Sequence, residues 1–277
     1  MIVEELWSAR DEAALKAFRA ALLRGDLAGA LFAIEAAPHP AVEADRSRML
    51  GWAREVTGRL PAAAEPGAQA LALAEVLAGE NDLRGSAAAF RNEWASHLHE
   101  VLERRRGLPI LLAAVWMEVG RMAGVEVAGI GLPGHFLVRV GGRSGVYADP
   151  FSGGRILSVD ECRAIVRRIS GGRAPWHASF LAPRSLPQIA ERVLNNLVKL
   201  YEGEERWARL YRTLSFLAAA RPDAAQPLLQ RGLTALRLGA MPLARRDLEE
   251  VRRRFGGSAE ALVATQRLAG IGDALLH

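Results

Sequence analysis

The residues of this chain whose types could act together are a histidine and an aspartate, His135 and Asp149, each on a short β segment. His135 follows a turn-forming Leu132-Pro133-Gly134, and Asp149 precedes Pro150-Phe151. On neighbouring strands such a pair can share a hydrogen bond, and the carboxylate then fixes the imidazole tautomer and raises its basicity. The imidazole could take a proton from a nucleophile. A helix N-terminus is the natural seat for that nucleophile, because the helix dipole stabilises a thiolate. An apolar helix does precede the two strands, but it opens on Pro109, which brings neither a nucleophile nor a donor. Three uses of the pair stay open: a structural bond between strands, the lining of a ligand or peptide pocket, and residual general-base hydrolysis.

The other reactive side chains are scattered. Cys162 is the single cysteine. It sits in the first turns of a helix that follows both His135 and Asp149, so it reads as a small core residue and not as a replacement nucleophile. His97 and His99 lie two apart on an expected helix and point to different faces, so they cannot jointly hold a metal from there. His39, between two prolines, and His177, in a loop, read as surface residues. No metal site and no cofactor is expected.

The elements that must position the pair can be read from periodicity and punctuation. The helix over 109–123 is apolar almost all round, with Ile110, Leu111, Leu112, Val115, Trp116, Met117, Val119 and Met122, which predicts a central, buried helix. Pro109 suits its first turn, and Gly124 ends it. Strands follow at 125–130, 135–140 and 146–149, the last two joined by the glycine-rich loop 141–145. Ile156-Leu157 is one more short strand candidate. Ser158 and Glu161 form a capping box for a helix to about Ile169. Upstream, helices are expected through residues 3–60, with Asp26 as a cap and Pro38-His39-Pro40 as a stop. A single stripe of Trp94, Leu98, Val101 and Leu102 predicts a helix over 94–106. After Ser185 only helices are expected, capped by Ser185 with Gln188 and by Asp223 with Gln226. Two segments 36 residues apart match in part, pairing Leu197 with Leu233, Leu200 with Leu236, Gly203 with Gly239 and Ala208 with Ala244. The fold class is α+β, mostly helical, with a small antiparallel sheet. The chain divides into 1–79, a helical lead-in; 80–184, the segment carrying the pair; and 185–277, helical hairpins.

Composition sets the limits. The chain has 277 residues, half hydrophobic and a quarter charged, which is ordinary for a globular protein with a sizeable core. The longest central apolar run is too short to cross a bilayer, and the start MIVEELW carries acid where a secretion signal needs base. The expected compartment is the cytoplasm, and no membrane is expected as a partner. The net charge is +5, and lysine occurs only at Lys16 and Lys199. Arginine clusters at 104–106, 167–168, 245–246 and 252–254 fall mostly near expected helix ends, where cations complement the dipole. That reading makes nucleic acid an unlikely partner.

Several of these stretches carry a resemblance. Gly107-Leu108-Pro109-Ile110-Leu111-Leu112-Ala113, Gly134-His135-Phe136-Leu137-Val138 and Tyr147-Ala148-Asp149-Pro150 resemble the helix start, histidine strand and aspartate strand of the transglutaminase-like (papain-like) superfamily. VLERRRGLPI (101–110), GLPGHFLVR (131–139), ADPFSGG (148–154) and ILSVDEC (156–162) are similar to its bacterial SirB-type branch, in which such a core is followed by tetratricopeptide-like repeats. The resemblance spans about residues 80–255. It implies a thiol-enzyme scaffold with a His135-Asp149 dyad, yet Pro109 stands where the superfamily has its nucleophilic cysteine. The implied use is therefore a non-catalytic adaptor that binds a protein partner through 185–277. The alternatives are a hydrolase or transferase working through His135 and Asp149, and, more weakly, an RNA- or ribosome-associated basic protein.

Overall fold

The computed structural model describes residues 6–35 and 41–273. The expected stop at Pro38-His39-Pro40 lies outside the described residues. Among those described are twelve α-helices and six strands, so the expectation of a mostly helical α+β chain with a small antiparallel sheet holds. Packing divides the chain into two compact units, one of Asp26–Ile189 and one of Met1–Gly25 with Ala190–His277. This division cuts across the segments 1–79, 80–184 and 185–277. Helix α1 (Ala9–Arg24) packs against a helix of the C-terminal set, through Phe18 on Phe216 at 5.3 Å between rings and the Arg212–Asp11 ion pair at 2.6 Å.

The unit of residues 26–189 is organised around one helix. In order it contains α2 (Leu27–Ile34), α3 (Val42–Arg59), α4 (Pro66–Ala74) running into a wider turn over Glu75–Glu80, β1 (Arg84–Gly85), α5 (Leu98–Arg104), β2 (Arg106–Gly107) and α6 (Pro109–Met122). The sheet and a last helix follow: β3 (Val127–Leu132), β4 (His135–Val140), β5 (Val146–Asp149), β6 (Arg155–Leu157) and α7 (Val159–Ile169). Helix α6 is buried on most sides, from Pro109 through Trp116 to Gly120, as its apolar surround requires. Helices α2 and α3 pack on it from one direction, and β3 and β4 from another.

The four strands form an antiparallel sheet in the order β3-β4-β5-β6. Because side chains alternate along a strand, the register sorts the sheet's two faces. Val138 pairs with Ala148 and Gly129 with Val138, and these residues face α6. A methyl group at Gly129 would meet Phe136 and the sulfur of Met117 at about 3 Å, so glycine there lets helix and sheet approach. The other face carries Ile130, Leu132, Leu137 and Leu157, and α7 covers it with Cys162 and Val166. By the same register His135 and Asp149 belong to this second face.

Two sequence expectations are corrected. The stretch 94–106 is not one helix. A 3₁₀ turn over Glu93–Ser96 precedes α5, and His97 is the extended residue at its N-cap. Arg105, at φ 56°, turns the chain out of α5, and Arg106-Gly107 then pairs in parallel with Arg84-Gly85. Gly107 is thus a strand residue, needed because Val101 packs where its Cβ would be. The second correction concerns Asp223: the helix Ala225–Arg237 starts from Ala224, with no side-chain cap.

The other unit adds α8 (Leu186–Gly203), α9 (Trp207–Ala220), α10 (Ala225–Arg237), α11 (Met241–Arg254) and α12 (Ala259–Asp273) to α1. From α9 onward each helix packs on the next. Of the residues matched at a spacing of 36, Gly203 is the last residue of α8 while Gly239 follows α10, and Ala208 and Ala244 lie in the first turns of α9 and α11. Among the described residues no helix is long and apolar enough to cross a membrane.

Gly154 offers a test of how tightly the sheet end is packed on α6. Its φ is +82°, and a methyl group there would stand 2.6 Å from Ala74 and from the Trp116 ring. Gly171, at φ +58°, has open space around it. Both would suffer backbone strain as alanine, so the difference isolates the clash. Gly154→Ala should lower the stability measured in urea by about 1–3 kcal/mol more than Gly171→Ala does.

Candidate functional site

The structure brings His135 and Asp149 together. His135 Nε2 donates to Asp149 Oδ2 at 3.0 Å, and both side chains are buried. The register explains the meeting. One step beyond the Val138–Ala148 pair, Asp149 stands opposite Leu137, two residues from His135 on the same face, which is diagonal contact distance for long side chains.

Asp149 is the better-connected partner. Its Oδ1 accepts the Phe151 backbone N–H at 3.0 Å, and its Oδ2 also accepts the Ser152 hydroxyl at 2.8 Å. Burial works against the ionised carboxyl, but the hydrogen bond and charge of His135 and the two bonds from Ser152 outweigh it and hold the carboxyl below its usual range. A carboxylate accepting several hydrogen bonds is favoured over its protonated form. Pro150 starts the short 3₁₀ turn Pro150–Ser152, and Gly153, at φ 74°, closes it. The Asp-Pro-Phe-Ser sequence thereby aims its own backbone and hydroxyl back at the aspartate.

Phe151 closes the other side of the imidazole. Its ring meets His135 edge-on at 6.0 Å and Phe90 at 5.7 Å. It lies so close to β1 that a methyl group at Gly85 would stand 2.3 Å from it. Sequence reasoning gave neither Phe151 nor Ser152 a role; the available signal was the short Asp-Pro-x-Ser spacing, which suits a turn returning to its own aspartate.

Pro109 is buried at the first position of α6, and the residue before it, Leu108, is extended and gives no side-chain cap. Cys162 lies under the same sheet face as His135, fully buried. Burial, with the charges of Glu161 and Asp149, pushes its thiol up to about 11, so it is a packing group and not a thiolate. His177 is exposed, as expected. A cleft of about 420 Å³ runs between α7 and the sheet end, lined by Asp149, Ser152, Arg155, Glu161, Arg167 and Arg168 among others. It reaches the aspartate and the serine from outside, and His135 is not among its lining residues.

A second polar cluster was not foreseen. His99 Nδ1 lies 2.7 Å from Asp45 Oδ2, and its backbone N–H donates to Glu35 at 2.9 Å. Burial pushes the Glu35 carboxyl up to about 7, against the backbone bonds from His99 and Leu98 and the nearby His97 and His99. His97 itself approaches Glu93 at 3.5 Å. The two histidines do diverge, but each meets a carboxylate, and His99 meets one 54 residues away in the chain.

A family model described as the transglutaminase-like superfamily matches residues 44–195. A UPF0162 protein of Xylella fastidiosa is 40% identical over 157 residues, 55% of this chain and 56% of its own length. A UPF0162 protein of Pseudomonas aeruginosa is 35% identical over 103 residues, 37% of each chain. The mouse protein F-box only protein 21 is 28% identical over 179 residues, 60% of this chain and 28% of its own length. The matches thus span about half the length of the first of these relatives, or less. No solved structure matches.

The carboxylate's environment makes a pH prediction. A carboxyl held below its usual range stabilises the folded state above the unfolded value, and that gain disappears as pH falls through the folded value. Asp149→Asn should therefore cost about 1–3 kcal/mol at neutral pH. The gap from the natural chain, read from urea midpoints, should narrow on acidification below about pH 4.

Proposed function

Because the chain belongs to the transglutaminase-like superfamily, we propose that it is a non-catalytic member of it, a SirB-type protein that works as a protein-binding or regulatory adaptor. The observation that carries this is Pro109, buried at the helix start where the superfamily places its thiol. Removal of a nucleophile is the largest single loss a covalent catalyst can suffer. One further feature supports it. The thiol that the chain does possess is buried and protonated.

The partner surface in this reading is the helical set 185–277, taken as two tetratricopeptide-like repeats. Repeats of that type present a concave face to a partner. A groove of about 180 Å³ among these helices is lined by Val198, Glu202, Trp207, Leu210, Leu233 and Arg237, with their neighbours. It mixes apolar surface with one charge of each sign, and Arg237 stacks on the Trp207 ring at 4.5 Å. Within the arginine clusters, Arg104, Arg106, Arg246, Arg253 and Arg254 each face a carboxylate, which weakens the case for a nucleic-acid role.

One observation favours a second reading, a hydrolase or transferase using the dyad without cysteine. The cleft reaches Asp149 and the Ser152 hydroxyl, so a substrate could approach from that side with water or its own group as nucleophile.

The two readings separate experimentally. With the full chain as bait, a partner captured from a bacterial cytoplasm should be retained by His135→Ala and lost by Arg237→Glu. The same chain should turn over neither p-nitrophenyl esters nor peptide amides above buffer. Ester or amide turnover abolished by both His135→Ala and Asp149→Asn would instead establish the enzyme.

A further inference from the structure

Away from the dyad, three side chains from two packed helices converge at one point. Helix α5 contributes His99 and Glu103, four residues apart and therefore on one face. Helix α3 packs on α5 and contributes Asp45. The His99 Nδ1, an Asp45 oxygen and a Glu103 oxygen all lie within 4.8 Å of one another. One imidazole nitrogen and two carboxylate oxygens form a ligand set that first-row divalent ions accept. Tetrahedral bonds of about 2.0 Å put ligand atoms about 3.3 Å apart, so a small opening of the 2.7 Å His99–Asp45 contact would admit an ion.

Asp45 supplies an independent sign that the cluster is incomplete as a purely hydrogen-bonded one. Its side chain is fully buried, and its Oδ1 has no hydrogen-bond partner. The nearest cation is the Arg48 guanidinium, whose Nη1 stands 3.6 Å from that oxygen, too long for a hydrogen bond, while its Nη2 donates to Glu103 at 2.5 Å. A buried carboxylate oxygen left without a donor is costly, and a coordinated cation removes that cost. Arg48 is about a third exposed on a flexible stem, so it can swing away when a stronger cation arrives.

We propose that Asp45, His99 and Glu103 bind one divalent transition-metal ion, of which zinc is the chemically best fitted, in competition with Arg48. Three protein ligands leave a fourth position for water. The ion ties α3 to α5, and α5 leads directly through β2 into the start of α6. Metal binding would thus brace the helix that the sheet and the dyad rest on.

The test uses the full, tag-free chain, so that no added histidines bind the ion. Isothermal titration with zinc chloride should give one ion per chain, and cobalt(II) should show the visible absorption of a four-coordinate site. Glu103→Gln, an exposed change that keeps the fold, and His99→Ala should each weaken zinc binding by at least about tenfold, because even residues behind the ligands are worth that much. Arg48→Gln removes the competing guanidinium and should tighten binding. Circular dichroism melts keep loss of fold separate from loss of a ligand. The proposal is overturned by the absence of one-to-one binding, by zinc affinity unchanged in Glu103→Gln and His99→Ala, or by weaker binding in Arg48→Gln.

Discussion

One buried charge, the carboxylate of Asp149, organises the end of the sheet. A carboxylate removed from water is tolerated only where donors replace the water, and here they come from three sources: the His135 imidazole, the Phe151 backbone and the Ser152 hydroxyl. Each donor fixes something else. The imidazole ties β4 to β5, the backbone bond closes the turn after β5, and that turn seats Phe151 against His135, Phe90 and Gly85. Mutual satisfaction of this kind rigidifies a polar network. The same carboxylate contact would hold an imidazole as a general base, and a base catalyses only with a partner nucleophile.

Such a partner would come, in a thiol enzyme, from the helix start that here holds Pro109. Proline is a good first residue for a helix, because the N–H it lacks would have no acceptor, and it is a complete loss as a nucleophile. Proline at this position thus favours the helix and offers no nucleophile of its own. Cys162 does not repair it. Although it lies under the same face as His135, the apolar surroundings and the neighbouring carboxylates keep its thiol protonated.

Local features of the fold were legible in the sequence to different depths. Strands β4 and β5 could be read to the residue, because alternation and the glycine loop 141–145 bound them on both sides. The Ser158–Glu161 capping box and the Pro109 helix start are written in adjacent residues and formed as expected. Reading failed where distant residues decide. The stripe Trp94-Leu98-Val101-Leu102 is helical in spacing, yet the chain breaks at His97 and again at Arg105, because β2 must reach β1. The meeting of His99 with Asp45 joins two helices across 54 residues, and no local periodicity encodes it. Nor does any local signal place α1 with the C-terminal helices, since the contacts that do so, Phe18 on Phe216 and Asp11 with Arg212, lie at the two ends of the chain.

In the proposed reading, a thiol-enzyme scaffold is retained without a nucleophile placed to take up an acyl group. Intact-mass spectrometry of the full chain after exposure to an excess of an activated acyl ester tests it directly, because covalent catalysis passes through an acylated side chain. No acyl adduct is expected on any residue of the His135–Asp149 site. A stoichiometric adduct on Ser152 or Cys162, abolished by His135→Ala, would contradict it.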